Sequence, residues 1–317
     1  MDPKPNILVV GSLNMDLVVR AAAMPKPGQT VLGERFVTAP GGKGANQAVA
    51  AARLGGHCAM IGRVGDDAFG LQLLDALGEE GVECTGVAAT REAATGVALI
   101  LVDRCGENSI VVAPGANALL TPDDIYSRCD LFDRAQVVVI QLEIPLPTVR
   151  AATTAARRHT RTLVLDPAPA PAAMPAELFQ VDVLTPNARE AESITGQLAI
   201  EERVDKNVAL DLIARGAQAA VLKLGPRGSL VVTADGQFAR IPPYNVAVVD
   251  TTGAGDAFTA ALAVGVARGS PLPEAALFAT AAGALTCTRL GAQTAMPTVD
   301  EVRILMEDQP RGKGGGQ

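Results

Sequence analysis

The sequence predicts an α/β protein with a doubly wound, mainly parallel sheet flanked by helices. Three observations lead to this class. Beyond about residue 137, short apolar runs alternate with helical stretches, as in parallel βαβ units with right-handed crossovers. Polar residues follow several of these runs, as they do at the ligand-binding edge of an open α/β sheet. With 317 residues, 48% of them hydrophobic, the chain is long enough to bury a large core.

Charge and cysteine content narrow the possible partners and setting. A formal net charge of −7 disfavours nucleic acid or an anionic membrane as the main partner. The five cysteines are scattered and form no CxxC, so neither a disulfide framework nor a zinc site is expected. Nothing at the N-terminus resembles a signal peptide, and the apolar stretch 257–267 is far shorter than the roughly 20 residues that span a bilayer. We therefore expect a reducing, cytoplasmic setting.

The first elements are predicted to be a core strand and part of a separate small sheet. Asn6 to Val10 is an apolar run, and Asn14 and Asp16 follow it, either as ligand-binding groups at the sheet edge or simply as turn formers. The stretches 15–40 and 95–113 contain β-branched runs without a helical period. These runs predict strands of a small sheet.

A glycine-rich turn follows and leads into an alanine-rich helix. The sequence GGKGANQA occupies residues 41–48, and the helical pattern ends near Gly56. Lys43 lies inside the glycine cluster, so the turn is not a Walker A loop. Lys43 and Asn46 stand near the helix start, where they could bond ligand hydroxyls. The alternative is a solvated lysine and a capping asparagine.

Polar residues at later strand ends are expected to share one edge of the sheet. Apolar runs at 137–141, 162–165, 182–184 and 219–224 predict the strands. A common site at this edge is geometrically reasonable. Asn187 with Glu190 has the alternative of a simple capping box, and Asp166 before Pro167 is interpreted as a turn former. The groups that follow these strands are Glu143, Asp166, Asn187, Glu190 and the segment 223–228.

The segment DTTGAGDAF, residues 250–258, carries the clearest chemical signal. Gly253 and Gly255 let a ligand approach the backbone, and a helix that begins here directs unpaired N–H groups at an anion. Asp256 at that helix start would repel a phosphate unless it had a task, such as taking a proton from an attacking hydroxyl. The alternative is a first-turn carboxylate that only favours the helix dipole. A last helix is predicted at about 273–289, and residues 309–317 are predicted to be a disordered tail.

Six motifs together resemble the PfkB-type carbohydrate kinases, and among them most closely the ribokinases. They are GSLNMD, GGKGANQA, QLE, TPNAREAE, KLGPRG and DTTGAGDAF, and the match extends to about Pro297. The resemblance implies ATP-dependent phosphorylation of D-ribose at its 5-hydroxyl. It also implies one ribokinase-like kinase domain over residues 1–308, with a small β lid at about 15–40 and 95–113. Such a lid often forms a homodimer interface.

The same resemblance implies a role for each matching residue. Asp256 would be the general base, and Gly253, Ala254 and Gly255 would form an anion hole. The sugar would be held by Asn14, Asp16, Gly42, Lys43, Asn46, Glu143 and Asp256. Mg²⁺ and the phosphates would be positioned by Asn187 and Glu190, largely through water. The ATP pocket would be lined by Lys223, Gly225, Arg227, Gly228, Gly255 and Thr280. A K⁺ site would comprise Asp250, Thr252, carbonyls near Thr286, Arg289 and Gly291, and the position of Ala295.

Three positions depart from the family pattern. Ala295 stands where serine is common, so one K⁺ ligand is expected to be missing. Lys223 replaces a usual threonine, and Thr280 replaces a histidine common near the adenine. Rival interpretations are a related kinase for fructose, 2-keto-3-deoxygluconate or adenosine, and a sugar-binding regulator without catalysis. The absence of Trp disfavours stacking of a nucleoside base, and the intact Asp256 disfavours the regulator.

Overall fold

The computed structural model describes residues 4–159, 162–171 and 173–310. It confirms the predicted α/β class. Of the predicted disordered tail, residues 311–317 lie outside the described part. The strands are β1 (Asn6–Val10), β2 (Asn14–Ala21), β3 (Gly33–Gly41), β4 (His57–Gly65), β5 (Glu83–Thr90), β6 (Gly96–Val102), β7 (Asn108–Ala113), β8 (Val137–Ile140), β9 (Thr162–Leu165), β10 (Val183–Leu184), β11 (Ala219–Lys223), β12 (Ser229–Thr233) and β13 (Phe238–Ile241). The helices are α1 (Lys43–Arg53), α2 (Ala68–Glu79), α3 (Pro122–Tyr126), α4 (Cys129–Arg134), α5 (Leu146–His159), α6 (Ala188–Thr195), α7 (Glu202–Ala214), α8 (Ala254–Ala267), α9 (Leu272–Thr286) and α10 (Val299–Asp308).

Within the described residues, nine strands form one large sheet in the order β13-β12-β11-β10-β9-β8-β1-β4-β5. The strands from β11 to β5 in this order are parallel, and β12 and β13 complete one edge as antiparallel strands. The strand order reverses around β1. Ligands bind beside such a reversal, outside the carboxyl ends of the strands.

Two cores cover the two faces of the large sheet. Ile7 and Val9 of β1 pack in one core with α1, α8 and α9. The alternate residues Leu8 and Val10 pack in the other core with α5 and α7. Because both faces of the sheet are covered, the sequence of each parallel strand is a continuous apolar run. The positions of these strands were therefore predictable.

The predicted small sheet is present as four strands in the order β3-β2-β6-β7, counted over the described residues. Its strand β2 follows β1 directly along the chain, so Asn14 and Asp16 stand where the two sheets meet. Apolar side chains of this sheet are exposed, including Phe36 at 61%, Ile110 at 53% and Val111 at 65%. A sheet with open edges and apolar faces is a candidate surface for association.

Among the helices and strands, four elements were not predicted from the sequence. β5 pairs in parallel with β4 at the edge of the large sheet, and α4, α7 and α10 are further helices. The segment of β5, ECTGVAAT, is rich in small residues, so its own pattern is weak and its strand form depends on pairing with β4. A search of the described helices found none with the length and apolar character needed to cross a bilayer.

Candidate active site

Two adjacent residues of α1 bind the carboxylate of Asp256. Asn46 Nδ2 donates to Oδ2 at 2.9 Å, and Gln47 Nε2 donates to Oδ1 at 3.2 Å. Asp256 lies in the first turn of α8 and is only 6% exposed. The helix dipole favours a negative charge at this end, and the two oxygens keep lone pairs for another donor. This geometry suits a buried general base.

The N-terminus of α8 is open to an anion. Gly253 is its N-cap residue with φ of 75°, a left-handed conformation that favours glycine, and no side chain of the described residues caps the first turn. Lys223 Nζ lies 3.6 Å from the point that a Cβ on Gly255 would occupy. Gly253, Ala254 and Gly255 thus present backbone at a helix start beside an ammonium group. Such a terminus binds phosphate well.

Asn14 and Asp16 lie at the start of β2, and Asp16 is close enough to Glu143 and Asp256 for their charges to act on it. Asn117 Nδ2 donates to Asn14 Oδ1 at 2.8 Å, and the Asn117 amide also pairs with the backbone N–H and carbonyl of Leu13. Because Asn14 Oδ1 is engaged, the Asn14 amino group remains as the donor for a ligand. The Asp16 carboxylate covers Gly41, where a Cβ would lie 2.4 Å from Asp16 Oδ2. Burial, with the charges of Glu143 and Asp256, raises the pKa of Asp16 to about 7.

The start of α1 faces several carboxylates. Gly42 is the N-cap residue, with φ of 89°. Glu143 Oε2 accepts hydrogen bonds from Ser12 Oγ at 2.5 Å and from the backbone N–H of Lys43 at 3.2 Å. The charge of Asp256 raises the pKa of Lys43, although burial acts in the opposite direction. Asn46 Oδ1 is buried without a hydrogen-bond partner in the described part of the chain. An unpaired buried acceptor is costly unless a ligand donates to it.

A buried ion pair lies between Asp256 and the predicted ATP side. Asp166 Oδ1 accepts from Lys223 Nζ at 2.8 Å, and Asp166 Oδ2 accepts from Gln47 Nε2 at 2.9 Å and from Thr259 Oγ1 at 3.2 Å. Asp166 is 1% exposed. The backbone of Asp166 does form the predicted turn, since its carbonyl accepts from the N–H of Ala168 at 2.8 Å. Its carboxylate has a further role that the turn does not explain, as the buried partner of Lys223.

Asn187 and Glu190 form the capping box that the sequence allowed. The side chain of Asn187 accepts from the Glu190 N–H at 2.9 Å, and Glu190 Oε2 accepts from the Asn187 N–H at 2.7 Å. Burial raises the pKa of Glu190 despite the nearby charge of Lys223. The capping role is thus confirmed, and the predicted role toward phosphates and metal stays a prediction.

The predicted nucleotide loop follows β11. Gly225 begins a short 3₁₀ turn, and Gly228 ends it with φ of 80°. The guanidinium of Arg227 binds Asp205, a fully buried residue of α7, at 2.6 Å, and also the carbonyl of Ala199. Arg227 therefore anchors this loop to α7. Thr280 on α9 shares a hydrogen bond of 2.8 Å with Ser229 Oγ.

The loop before α8 is organised by Asp250. Its Oδ1 accepts from Thr252 N at 2.9 Å and Thr252 Oγ1 at 2.6 Å, and its Oδ2 accepts from Gly291 N at 2.9 Å. Partial burial acts to raise the pKa of Asp250, but these hydrogen bonds outweigh it and lower the pKa. Thr286 ends α9, Arg289 binds Glu301, and Ala295 is buried in a nearby 3₁₀ turn. Asp250 thus links the segments of the predicted K⁺ site.

Two residues of the site, Gln47 and Asn117, were missed by local sequence reasoning. Gln47 contacts two carboxylates from inside an alanine-rich helix, and Asn117 orients Asn14. Asp166 was expected at this edge of the sheet, but its pairing with Lys223 was not. Each contact joins residues far apart in the chain, so no local pattern could reveal the partner. The occurrence of a buried-looking glutamine beside Asn46 was the one available signal.

Comparisons with known proteins identify the family of this chain. The pfkB family carbohydrate kinase model matches residues 4–299. A curated ribokinase from Bacillus subtilis (strain 168) is 40% identical over 301 residues, which cover 95% of this chain and 99% of that protein. A curated deoxyribokinase from Salmonella typhi is 34% identical over 297 residues, which cover 93% of this chain and 97% of that protein.

A solved structure is similar over nearly the whole chain. The structure of Arabidopsis thaliana ribokinase complexed with ribose and ATP has a TM-score of 0.88 and 32% sequence identity, covering 96% of this chain and 99% of that one. Family model, sequence relatives and fold agree with the motifs. The chain belongs to the pfkB family of carbohydrate kinases and is a sugar kinase.

Proposed function

We propose that this sugar kinase transfers the γ-phosphoryl group of ATP to the 5-hydroxyl of D-ribose. The observation that carries the proposal is the buried Asp256 carboxylate at the uncapped N-terminus of α8. The names of similar proteins support the substrates, since one is a ribokinase and another was solved with ribose and ATP.

In the proposed reaction, the sugar oxygen bonds to the γ-phosphorus while the bond to the bridging oxygen of ADP breaks. Asp256 accepts the hydroxyl proton. The amides of residues 253–255 and the ammonium of Lys223 offset the negative charge on the phosphoryl oxygens. Phosphoryl transfer depends mainly on such positioning and charge compensation.

The proposed sugar pocket has a defined set of donors and acceptors. Asn46 Oδ1 is an acceptor without a partner among the described residues, and Asn14 presents its amino group as a donor. Lys43 adds a cationic donor, while Asp16 and Glu143 add carboxylate acceptors. A polyhydroxylated sugar can satisfy all of these groups.

The charge of the site fits Mg²⁺ bound with ATP. In the described part of the site, five carboxylates face two lysines, so ATP alone would meet a net negative environment. No cluster of three His, Cys, Asp or Glu residues suited to direct metal binding was found among the described residues. We therefore propose that Glu190 and Asn187 hold the ion through water. When bound, Mg²⁺ supplies charge neutralisation at the β- and γ-phosphates. The carboxylates and lysines of the cluster are Asp16, Glu143, Asp166, Glu190, Asp256, Lys43 and Lys223.

The proposed substrate predicts a preference for ribose over 2-deoxyribose. A sugar that lacks one hydroxyl leaves a buried polar partner unpaired, which costs about 1–3 kcal/mol, or roughly 10- to 100-fold in kcat/KM. We assign Asp16 to the 2-hydroxyl side of the sugar. Asp16→Ala should therefore lower kcat/KM for both sugars and reduce the ratio between them. Coupled ADP release with ATP, Mg²⁺ and each sugar measures both ratios.

The control for Asp16→Ala is Asp66→Ala, which truncates an exposed carboxylate paired with Arg91. An unchanged sugar ratio in Asp16→Ala would reject the role of Asp16. Higher activity with fructose, 2-keto-3-deoxygluconate or adenosine than with ribose would reject the ribokinase assignment.

Deoxyribose phosphorylation is the second candidate activity, because a deoxyribokinase is 34% identical to the chain. A preference for 2-deoxyribose would favour it.

We also propose activation by K⁺ at the loop of Asp250. Its ionised carboxylate bridges the residues before α8 to Gly291, so a cation there would order the turn that leads to Gly253. Ala295 offers no side-chain oxygen, so we expect weaker activation than a complete ligand set would give. The expected result is a higher rate in K⁺ than in tetramethylammonium at equal ionic strength. Equal rates in the two cations would contradict this site.

A homodimer formed through the small sheet is proposed as the assembly. Ile110 and Val112 are exposed on the face that carries Asp16, so a second copy packed there would cover apolar surface and the mouth of the sugar pocket. We expect a dimer at micromolar concentration by light scattering, and a shift toward monomer in Ile110→Glu. Glu substituted at exposed Leu71 on α2 is the control. A monomeric parent protein would disprove the proposal.

Two broader proposals complete this assignment. We propose that residues 1–308 act as one kinase domain whose small sheet serves as the lid over the sugar. Five free cysteines are consistent with a cytoplasmic location, because that compartment keeps thiols reduced.

A further inference from the structure

Gln47 connects the proposed base to a second buried carboxylate. One nitrogen, Gln47 Nε2, donates to Asp166 Oδ2 at 2.9 Å and to Asp256 Oδ1 at 3.2 Å. The residue is fully buried. Since an amide nitrogen carries two hydrogens, each carboxylate can receive one. A single side chain therefore separates the two carboxylates and ties them together.

Gln141 determines which end of the Gln47 amide faces the carboxylates. Gln141 Nε2 donates to Gln47 Oε1 at 2.5 Å, and Gln141 is also fully buried. With its oxygen engaged there, Gln47 must direct its amino group toward Asp166 and Asp256. The opposite orientation would place a carbonyl oxygen against two carboxylates, which is electrostatically unfavourable. Close packing of Gln141 against Gly11 leaves its side chain little room, because a Cβ on Gly11 would overlap Gln141 Oε1.

Asp166, the second carboxylate bound by Gln47, is held in place by two further side chains. Asp166 follows β9 and is bound by Lys223 from β11 and by Thr259 from α8. Gln47 therefore holds Asp256 against a group that strands of the large sheet fix in place. We propose that Gln47 is a positioning residue, oriented by Gln141, which keeps the Asp256 carboxylate aligned to receive the proton of the sugar hydroxyl. The proton of the sugar hydroxyl ends on Asp256, and Gln47 retains both of its amide hydrogens.

This inference rests on the proposed role of Asp256, so its test uses both residues. Gln47→Leu keeps the approximate volume and removes both donors. We expect it to lower kcat by roughly 10- to 100-fold, as for loss of a hydrogen bond to a charged group, with little change in the KM for ribose. In an Asp256→Asn background the same substitution should have almost no further effect on kcat, because the base through which Gln47 acts is absent.

Gln136→Leu is the matched control. Gln136 also bridges two groups, since it accepts from the N–H of Asn6 and donates to the carbonyl of Ala267. Gln136 precedes β8, whereas Gln141 follows that strand. Gln136 therefore lies at the amino ends of the strands, on the side away from the proposed site. Its loss should lower stability without lowering kcat. A second test variant, Gln141→Leu, leaves Gln47 in place and should reduce kcat less than Gln47→Leu does.

The kcat values of these variants distinguish the proposed role of Asp256 as the base from the proposed positioning role of Gln47. If Asp256→Asn is inactive but both glutamine variants fold and retain the parental kcat, the role of Gln47 is rejected and that of Asp256 stands. If Gln47→Leu lowers kcat by the same factor with and without Asp256, its effect is merely structural and the positioning role is also rejected. A fully active Asp256→Asn protein would overturn both. Should Gln47→Leu fail to fold, the same cycle with Gln141→Leu decides the question.

Discussion

Asp256→Asn is expected to lower kcat by roughly 10²- to 10⁴-fold, the usual range for a positioned general base. Asparagine has the same shape and keeps one oxygen that can accept from Asn46 or Gln47, but its amide cannot take up the hydroxyl proton. We therefore expect the fold and the affinity for ribose to be retained. Coupled ADP release measures turnover, and calorimetric titration with ribose measures binding.

Asp182→Asn is a suitable control for this substitution. The Asp182 carboxylate accepts from the N–H of Leu163 at the start of β9, away from the carboxyl ends of the strands, and asparagine can still accept there. This variant should keep the parental turnover. Near-parental kcat in Asp256→Asn would remove Asp256 from the mechanism. Loss of ribose binding in the same variant would instead make Asp256 mainly a binding group.

Lys223→Met is expected to destabilise the protein by about 3–5 kcal/mol, because it leaves a buried carboxylate without its charged partner. Asp166 is 1% exposed and cannot turn to solvent. Gln47 and Thr259 continue to donate to it, but neither neutralises its charge. The free energy of unfolding from urea titrations tests this expectation.

A paired substitution shows whether the loss comes from the unpaired charge. Asp166→Asn combined with Lys223→Thr removes both charges, so we expect its stability to be close to that of the parent. Lys26→Met is the control on an exposed lysine, which should change stability by no more than about 0.5 kcal/mol. A double variant no more stable than Lys223→Met would show that the ion pair is not the cause.

The strands that position the site were predictable because each is an apolar run that ends in polar residues. Val137 to Ile140 and Ala219 to Lys223 are examples, and the parallel arrangement brings their ends to one edge. Asp256, Lys43 and Asn46 could be proposed from glycine-rich turns at helix starts. In these segments local sequence and tertiary structure require the same residues.

The contacts that the sequence did not predict depend on distant partners. Asp166 precedes a proline, which is typical of a turn, and only the position of Lys223 on a neighbouring part of the sheet reveals its ion pair. Gln47 lies in a helix whose other buried residues include alanines that pack against α8. Its two carboxylate partners are 119 and 209 positions away. Such pairing is set by the assembled fold, so the local pattern around each residue carries no record of it.

The placement of Asn14 and Asp16 on β2 has a consequence for how sugars are distinguished. These residues belong to the small sheet, whereas Lys43, Asn46 and Asp256 belong to helices packed on the large sheet. If the small sheet acts as the proposed lid, a sugar that contacts both groups binds best when the sheets are close together. Its binding free energy would then be linked to the equilibrium between open and closed arrangements. The shift in that equilibrium can be no larger than the difference in affinity for the two arrangements. Under that proposal, a sugar that lacks a contact with β2 would bind less tightly and would also leave a smaller fraction of molecules closed. One missing hydroxyl would then lower both occupancy and the population competent for transfer.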